Sequence, residues 1–180
     1  MCARGWARVS WYTPRKSLNR LRTRTPSFDG PWNRGRSSLA DDRNGRAREA
    51  ARWITQARHD LAAAAANAEA GRHALACFLC HQVAEKSVTG YLFSRGAERV
   101  WGHALADLCE DAMALDTSFD LIKTVAVLLD KFYLDTRYPS TLPGGVPAEV
   151  YDAHDSSRAL EVAHDVYEFV MQRVENASGA

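Results

Sequence analysis

Residues 73–94 read HALACFLCHQVAEKSVTGYLFS, and the fold turns on them. Leu75, Leu79 and Val83 share one arc of a helix, and Phe78, His81, Glu85, Val88 and Leu92 share another, which predicts a helix apolar on most sides. Such a helix sits at the centre of a domain with others packed around it. Upstream, the segment from Arg46 to about Glu69 is rich in Ala, Arg, Glu and Gln and has no Pro, which predicts a first helix. Trp53, Ala57, Leu61 and Ala64 recur there at helical spacing, with Asp60 inside the stripe. Downstream, His103 to Leu115 predicts a shorter third helix on Leu105, Leu108, Cys109 and Ala112. Ser118 or Thr117 is placed to cap a fourth, with Leu121, Val125, Leu128, Leu129 and Phe132 as its apolar stripe. Pro139, Pro143, Gly144, Gly145 and Pro147 then force a loop of about ten residues. The last helix is expected from near Asp155, with Leu160, Ala163, His164, Tyr167, Val170, Met171 and Val174 on one face. There is no strand pattern and no internal repeat, so the reading is all-α: a single bundle of about five helices, antiparallel where connections are short.

At 180 residues, with 46% hydrophobic and 25% charged residues, the chain fits one globular domain and is neither wholly disordered nor collagen-like. No apolar run approaches the roughly 18 residues that would suggest a membrane span, so a soluble protein without membrane contact is expected. The net charge of +1 hides a split: residues 1–48 hold 12 Lys+Arg against 3 Asp+Glu, and residues 49–180 hold 11 against 19. Residues 1–45 have no lasting apolar period and carry Pro14, Pro26, Pro31, Gly5, Gly30 and Gly35, so they are expected to form a disordered basic tail ahead of a helical domain at 46–178. The first 28 residues contain no acid and many Arg and Ser, the composition of a transit peptide. The blander alternative, an upstream extension from a misplaced start, is preferred to it, with a basic arm as the third reading. No secretory core segment is present, and a cytoplasmic location is expected. The acidic body is ill suited to wrapping a nucleic-acid backbone, so any such contact is local or comes from the tail.

Three constellations could carry chemistry. Cys77-Phe78-Leu79-Cys80-His81 matches the pattern of c-type haem attachment, which requires export. With His73 the same residues lie on one helix face, where a tetrahedral zinc site is geometrically conceivable. The plainer reading makes Cys77 and Cys80 core thiols in a reducing compartment, and neither metal nor cofactor is expected. Asp60 and Glu85 sit among apolar neighbours and so need partners, for which His81 and Arg137 are the candidates. Finally, if the fourth helix continues to Arg137, Asp130, Tyr133 and Arg137 share a face just before Tyr138-Pro139. An Arg there can bind phosphate bidentately or hold the last helical carbonyls. His103, His154 and His164 read as structural. No nucleophile elbow, phosphate-binding glycine loop or zinc-protease His pair is present.

The order Trp53-x-x-x-Ala57-x-x-Asp60-Leu61, His81-Gln82-x-x-Glu85-Lys86, His103-x-Leu105-x-x-Leu108 and Asp130-x-x-Tyr133-x-x-Thr136-Arg137-Tyr138-Pro139 resembles the HEPN domain of prokaryotes and of the C-terminus of sacsin, over about residues 46–175. The resemblance implies a helical bundle that dimerises. In many prokaryotes it stands beside a minimal nucleotidyltransferase as a toxin–antitoxin pair, and in sacsin it binds nucleotides. Catalytic members resemble metal-independent RNases with an Arg followed, after four to six residues, by a His. Arg137 matches the Arg, but the positions for the His hold Leu142, Pro143 and Gly144. Thr89 also replaces a Lys that relatives often carry after the Glu-Lys pair.

The reading that follows is a homodimeric, non-nucleolytic binding module for a nucleotide, an RNA phosphate or a nucleotidyltransferase partner, with Arg137, Tyr138, Lys86, Glu85, Asp60 and His81 as its ligand-binding residues. The alternatives are an RNase toxin in which His103 or His81 replaces the missing His beside Arg137, and a purely structural interaction domain. The homodimer is also suggested by the second helix, whose apolar area is large for five helices to cover.

Overall fold

The hairpin of α1 (Leu39–Glu69) and α2 (His73–Ser94) organises the chain. The structure is a computed structural model, which describes residues 39–178, with side chains over 43–175. Both helices stop at a left-handed glycine. At Gly71 (φ 73°) the Arg72 N–H reaches the Asn67 carbonyl at 2.8 Å and the Gly71 N–H reaches that of Ala68 at 3.0 Å. At Gly96 (φ 98°) the N–H groups of Ala97 and Gly96 close on Leu92 and Phe93, each at 3.0 Å. This pairing satisfies the last carbonyls of each helix, and glycine adopts the required φ without steric cost.

α2 is the central helix, as its all-round apolar pattern predicts. Ala76, Cys77, Cys80, Val83, Ala84, Val88 and Tyr91 are buried, against α1 and α7 (Ala153–Ser178) on its long sides and against α3 (Leu105–Met113), α5 (Phe132–Asp135) and α6 (Pro147–Val150). Most of its apolar area is therefore covered within one chain, Leu75 near its start being 44% exposed, and the helix does not itself call for a second copy. α1 and α2 approach closely at Gly90, where a Cβ would lie 2.8 Å from Ile54 Cδ1.

Among the described residues every regular element is helical, and no helix is long and apolar enough to cross a membrane. The bundle is less regular than five rods. α1 begins at Leu39, ahead of the expected Arg46, and α7 begins at Ala153, where Asp152 Oδ1 accepts the N–H of His154 and of Asp155 at 2.8 and 3.0 Å. The basic tail lies outside the described residues up to residue 38. His164 is exposed and leaves the apolar face of α7, which buries Ala159, Ala163, Val166 and Val170.

The fourth helix departs most from its sequence pattern. It divides into α4 (Phe119–Ala126), a 3-10 turn at Val127–Leu129, and α5. Its buried stripe is Phe119, Ile122, Ala126, Leu129 and Phe132, whereas Leu121 and Leu128 are 76% and 53% exposed. The spacing of three between Ala126, Leu129 and Phe132 is what a 3-10 turn keeps on one face. Neither Thr117 nor Ser118 caps α4. Ser118 Oγ instead donates to Asp116 and accepts from Arg173 Nε at 3.0 Å and Nη2 at 2.9 Å. The Pro-Gly segment holds a second 3-10 turn, Pro139–Thr141, before α6.

Candidate functional site

Most of the candidate residues gather where α2 meets the segment before α3 and the end of α5. Glu85 sits on α2 and is 7% exposed. Its Oε1 lies 2.9 Å from His103 Nδ1, and its Oε2 accepts from Gln82 Nε2 at 3.1 Å. His81 Nδ1 is farther, at 3.7 Å from Oε2, so His103, from the loop ahead of α3, is the closer partner. His81 is wholly buried with neither ring nitrogen hydrogen-bonded, its Nε2 3.4 Å from Asp130 Oδ1. Asp130 is committed elsewhere: its two oxygens accept the N–H of Leu105 at 2.7 Å and of Ala106 at 3.2 Å. It thus caps α3 from a distant point in sequence, a role its spacing to Tyr133 and Arg137 does not reveal.

Tyr133 is the hub of the outer layer. His103 stacks on its ring with centroids 5.3 Å apart and planes at 18°, and His81 lies 5.2 Å from it. On the same ring, 4.8 Å from its centroid, rests the Arg137 guanidinium, which also lies 4.7 Å from Phe78 and 5.3 Å from Tyr138. Cation–π attraction to three rings fixes the guanidinium without neutralising it. Arg137 Nε donates to the Tyr133 carbonyl at 2.9 Å, so Arg137 does hold a late helical carbonyl. That leaves the two terminal NH2 groups of an exposed side chain, with no ion pair to a carboxylate among the described residues. Arg137 is therefore not the partner of Asp60 or Glu85 that the sequence suggests.

Asp60 has different partners. Lys86 Nζ lies 2.6 Å from Asp60 Oδ2, and Gln56 Nε2 donates to Oδ1, also at 2.6 Å. Lys86 also donates to Gln82 Oε1 at 2.9 Å, so Gln82 joins the Asp60–Lys86 pair to Glu85 and His103. The network gives each carboxylate a hydrogen-bonded partner, which is what burial demands. Lys86 is occupied within it. The exposed chemistry is then His103, Arg137 and Tyr138, while Asp60, Glu85 and His81 form the floor.

Phe78 and Gln82 belong to the site, although the sequence offers neither as a candidate ligand-binding residue. Phe78, His81, Gln82 and Glu85 recur at three- and four-residue spacing on one face of α2, and that periodicity is the available signal. The cysteines belong elsewhere. Cys77, Cys80 and Cys109 are fully buried, and burial pushes each thiol up to about 12. His73 Nδ1 lies 3.0 Å from Ser156 Oγ. No group of three or more His, Cys, Asp and Glu side chains suited to a metal is found among the described residues.

Comparison with known proteins bears on the family and the fold. The family model described as HEPN domain matches residues 50–174. Among solved structures, TT1696 from Thermus thermophilus is 36% identical with a TM-score of 0.63, covering 68% of this chain and 96% of its own. ST0689, described as an archaeal HEPN homologue, is 34% identical with a TM-score of 0.59, covering 69% of this chain and 97% of its own. No curated protein matches.

Proposed function

The chain belongs to the HEPN domain family, and from that premise we propose that it is a homodimeric binding module that takes a nucleotide or RNA phosphate at Arg137 without cleaving it. The observation that carries this reading is the state of Arg137. Its guanidinium is held over Phe78, Tyr133 and Tyr138, and the side chain is exposed with no carboxylate partner among the described residues. Arginine in that state offers a planar fork that fits two phosphate oxygens. Tyr138, 49% exposed, and the outer face of His103 offer surfaces on which a base stacks. Contact at one or two phosphates suits a body that is otherwise acidic. A nucleotidyltransferase, the partner that the family resemblance implies, would meet the same basic point through an acidic residue.

Cleavage needs a group that moves protons, and Leu142, Pro143 and Gly144 supply none where catalytic relatives carry the His. Arg137 alone stabilises charge on a phosphorane-like transition state without generating the nucleophile. One observation favours the second reading, an RNase with a displaced His. His103 Nδ1 is engaged by Glu85 Oε1 at 2.9 Å while the side chain is 60% exposed, the carboxylate–imidazole arrangement of a general base. The two readings separate in one experiment, incubation of single-stranded RNA with the purified protein, with and without divalent metal. Intact RNA in both supports the binding module. Metal-independent cleavage lost in both Arg137→Ala and His103→Ala establishes the RNase.

A further inference from the structure

We propose that two copies of this chain pair through the outer face of α4, with Leu121 of each copy seated in the cleft between the 3-10 turn and α7 of the other. The inference deepens the homodimer reading above and rests on it for its stoichiometry. α4 is apolar on two sides. Its inner stripe is in the core; outward lie Leu121 and, in the 3-10 turn that follows, Leu128, with Val125 between them partly buried against the core. Leu121 is 76% and Leu128 53% exposed, an apolar row that is costly to leave in water and usually marks a contact surface.

Beside this row lies a cleft of about 210 Å³ lined by Leu128, Leu129, Phe132, Ala159 and Val162. A void that accepts one apolar side chain is on the order of 150 Å³, so the cleft has room for a leucine. Leu121 and the lip of the cleft at Leu128 are about two helical turns apart, roughly 11 Å, on one face. A protruding side chain and a receptive cleft on one surface are the requirement for a two-fold contact, in which residue i meets j and j meets i. With the two α4 helices antiparallel, each Leu121 enters the other copy's cleft.

The charges at the two ends favour a second copy as the occupant. Asp120, exposed, adjoins the protruding Leu121. The cleft is rimmed by Lys131, His154, Arg158 and Asp155, of which Arg158 is held by Glu161 at 2.7 Å. Lys131 is exposed and rests over its own Phe132 ring at 4.7 Å. The antiparallel arrangement sets Asp120 against the partner subunit's Lys131, twice by symmetry, so one surface supplies both the apolar fit and its opposite charges.

Sedimentation of the full chain across micromolar concentrations tests this. The wild type is expected to dimerise. Leu121→Asp, at an exposed position, is expected to keep its helical circular dichroism and to weaken dimerisation at least about tenfold, as loss of a seated anchor does. Lys131→Glu is expected to weaken it less, and combining it with Asp120→Lys to restore it, which general damage to the fold would not allow. A wild type that stays monomeric overturns both the homodimer reading and this surface. A wild-type dimer unaffected by Leu121→Asp, or a charge reversal that is not restored, overturns the surface and leaves the homodimer standing.

Discussion

Replacing Asp130 by Ala tests the link between fold and site at its narrowest point. The Asp130 carboxylate accepts two N–H groups at the start of α3, those of Leu105 at 2.7 Å and Ala106 at 3.2 Å, and α3 is nine residues long. A helix that short depends on its ends. Losing a capping acceptor costs about 0.5–2 kcal/mol, and losing a negative charge at the N-terminus a further 0.3–1 kcal/mol or so. Asp130→Ala should therefore destabilise the protein by about 1–3 kcal/mol. For a domain of this size that lowers Tm by roughly 3–10 °C. Asn keeps an acceptor oxygen and is as good a cap as Asp, so Asp130→Asn should lose only the charge, well under half as much. Thermal and urea unfolding of the three proteins provide the check. A loss below about 0.5 kcal/mol in Asp130→Ala, or equal losses in Ala and Asn, would refute the capping role. Because His103 lies two residues ahead of α3, the Ala variant should also loosen its contact with Glu85.

Of the four cysteines, Cys77, Cys80 and Cys109 are buried with thiols pushed up to about 12, so a thiol reagent at pH 8 should label no more than one group in the native protein and four after unfolding; fast labelling of two or more native groups would contradict their burial. On the acid side, hydrogen bonds from Ser118, with the nearby Arg173, hold the Asp116 carboxyl below its ordinary value. A lowered folded value means stability that is present above about pH 4 and lost as pH falls through the folded value. Asp116→Asn should flatten that part of the stability–pH curve below about pH 4, and an unchanged slope would show that Asp116 does not contribute to it.

The parts of the fold legible in the sequence are those set by local pattern. An all-round apolar α2, a Pro-free α1 and a loop crowded with Pro and Gly each follow from composition within one segment. The division of α4 from α5 does not, nor does the contact of Asp130 with the start of α3, which spacing along its own helix cannot show. The same region misleads in a second way. Phe119, Ile122, Ala126 and Leu129 form one apolar stripe and Leu121, Val125 and Leu128 another, and periodicity alone does not say which of two apolar stripes faces the core. At the site, Arg137 is legible from its place before Tyr138-Pro139, and the helix carbonyl it holds is among the options that place allows. The partners of Asp60 and Glu85 are not legible in the same way. Lys86 and His103 reach them across elements, while the nearest candidate in sequence, His81, is 3.7 Å from Glu85.

Recognition of phosphate by Arg137 can be measured by titrating a short fluorescent single-stranded RNA, and separately a nucleoside triphosphate, into the wild type and Arg137→Ala, with RNA integrity checked on the same samples. Losing a bidentate charge-assisted contact costs about 1.5–3 kcal/mol, or roughly 10- to 150-fold in affinity. The salt dependence of RNA binding should fall by about 0.7 in its logarithmic slope, the share of one single-stranded phosphate. Affinity for both ligands that is unchanged by Arg137→Ala would contradict the claim, as would an undiminished salt slope, because the phosphate would then be held elsewhere.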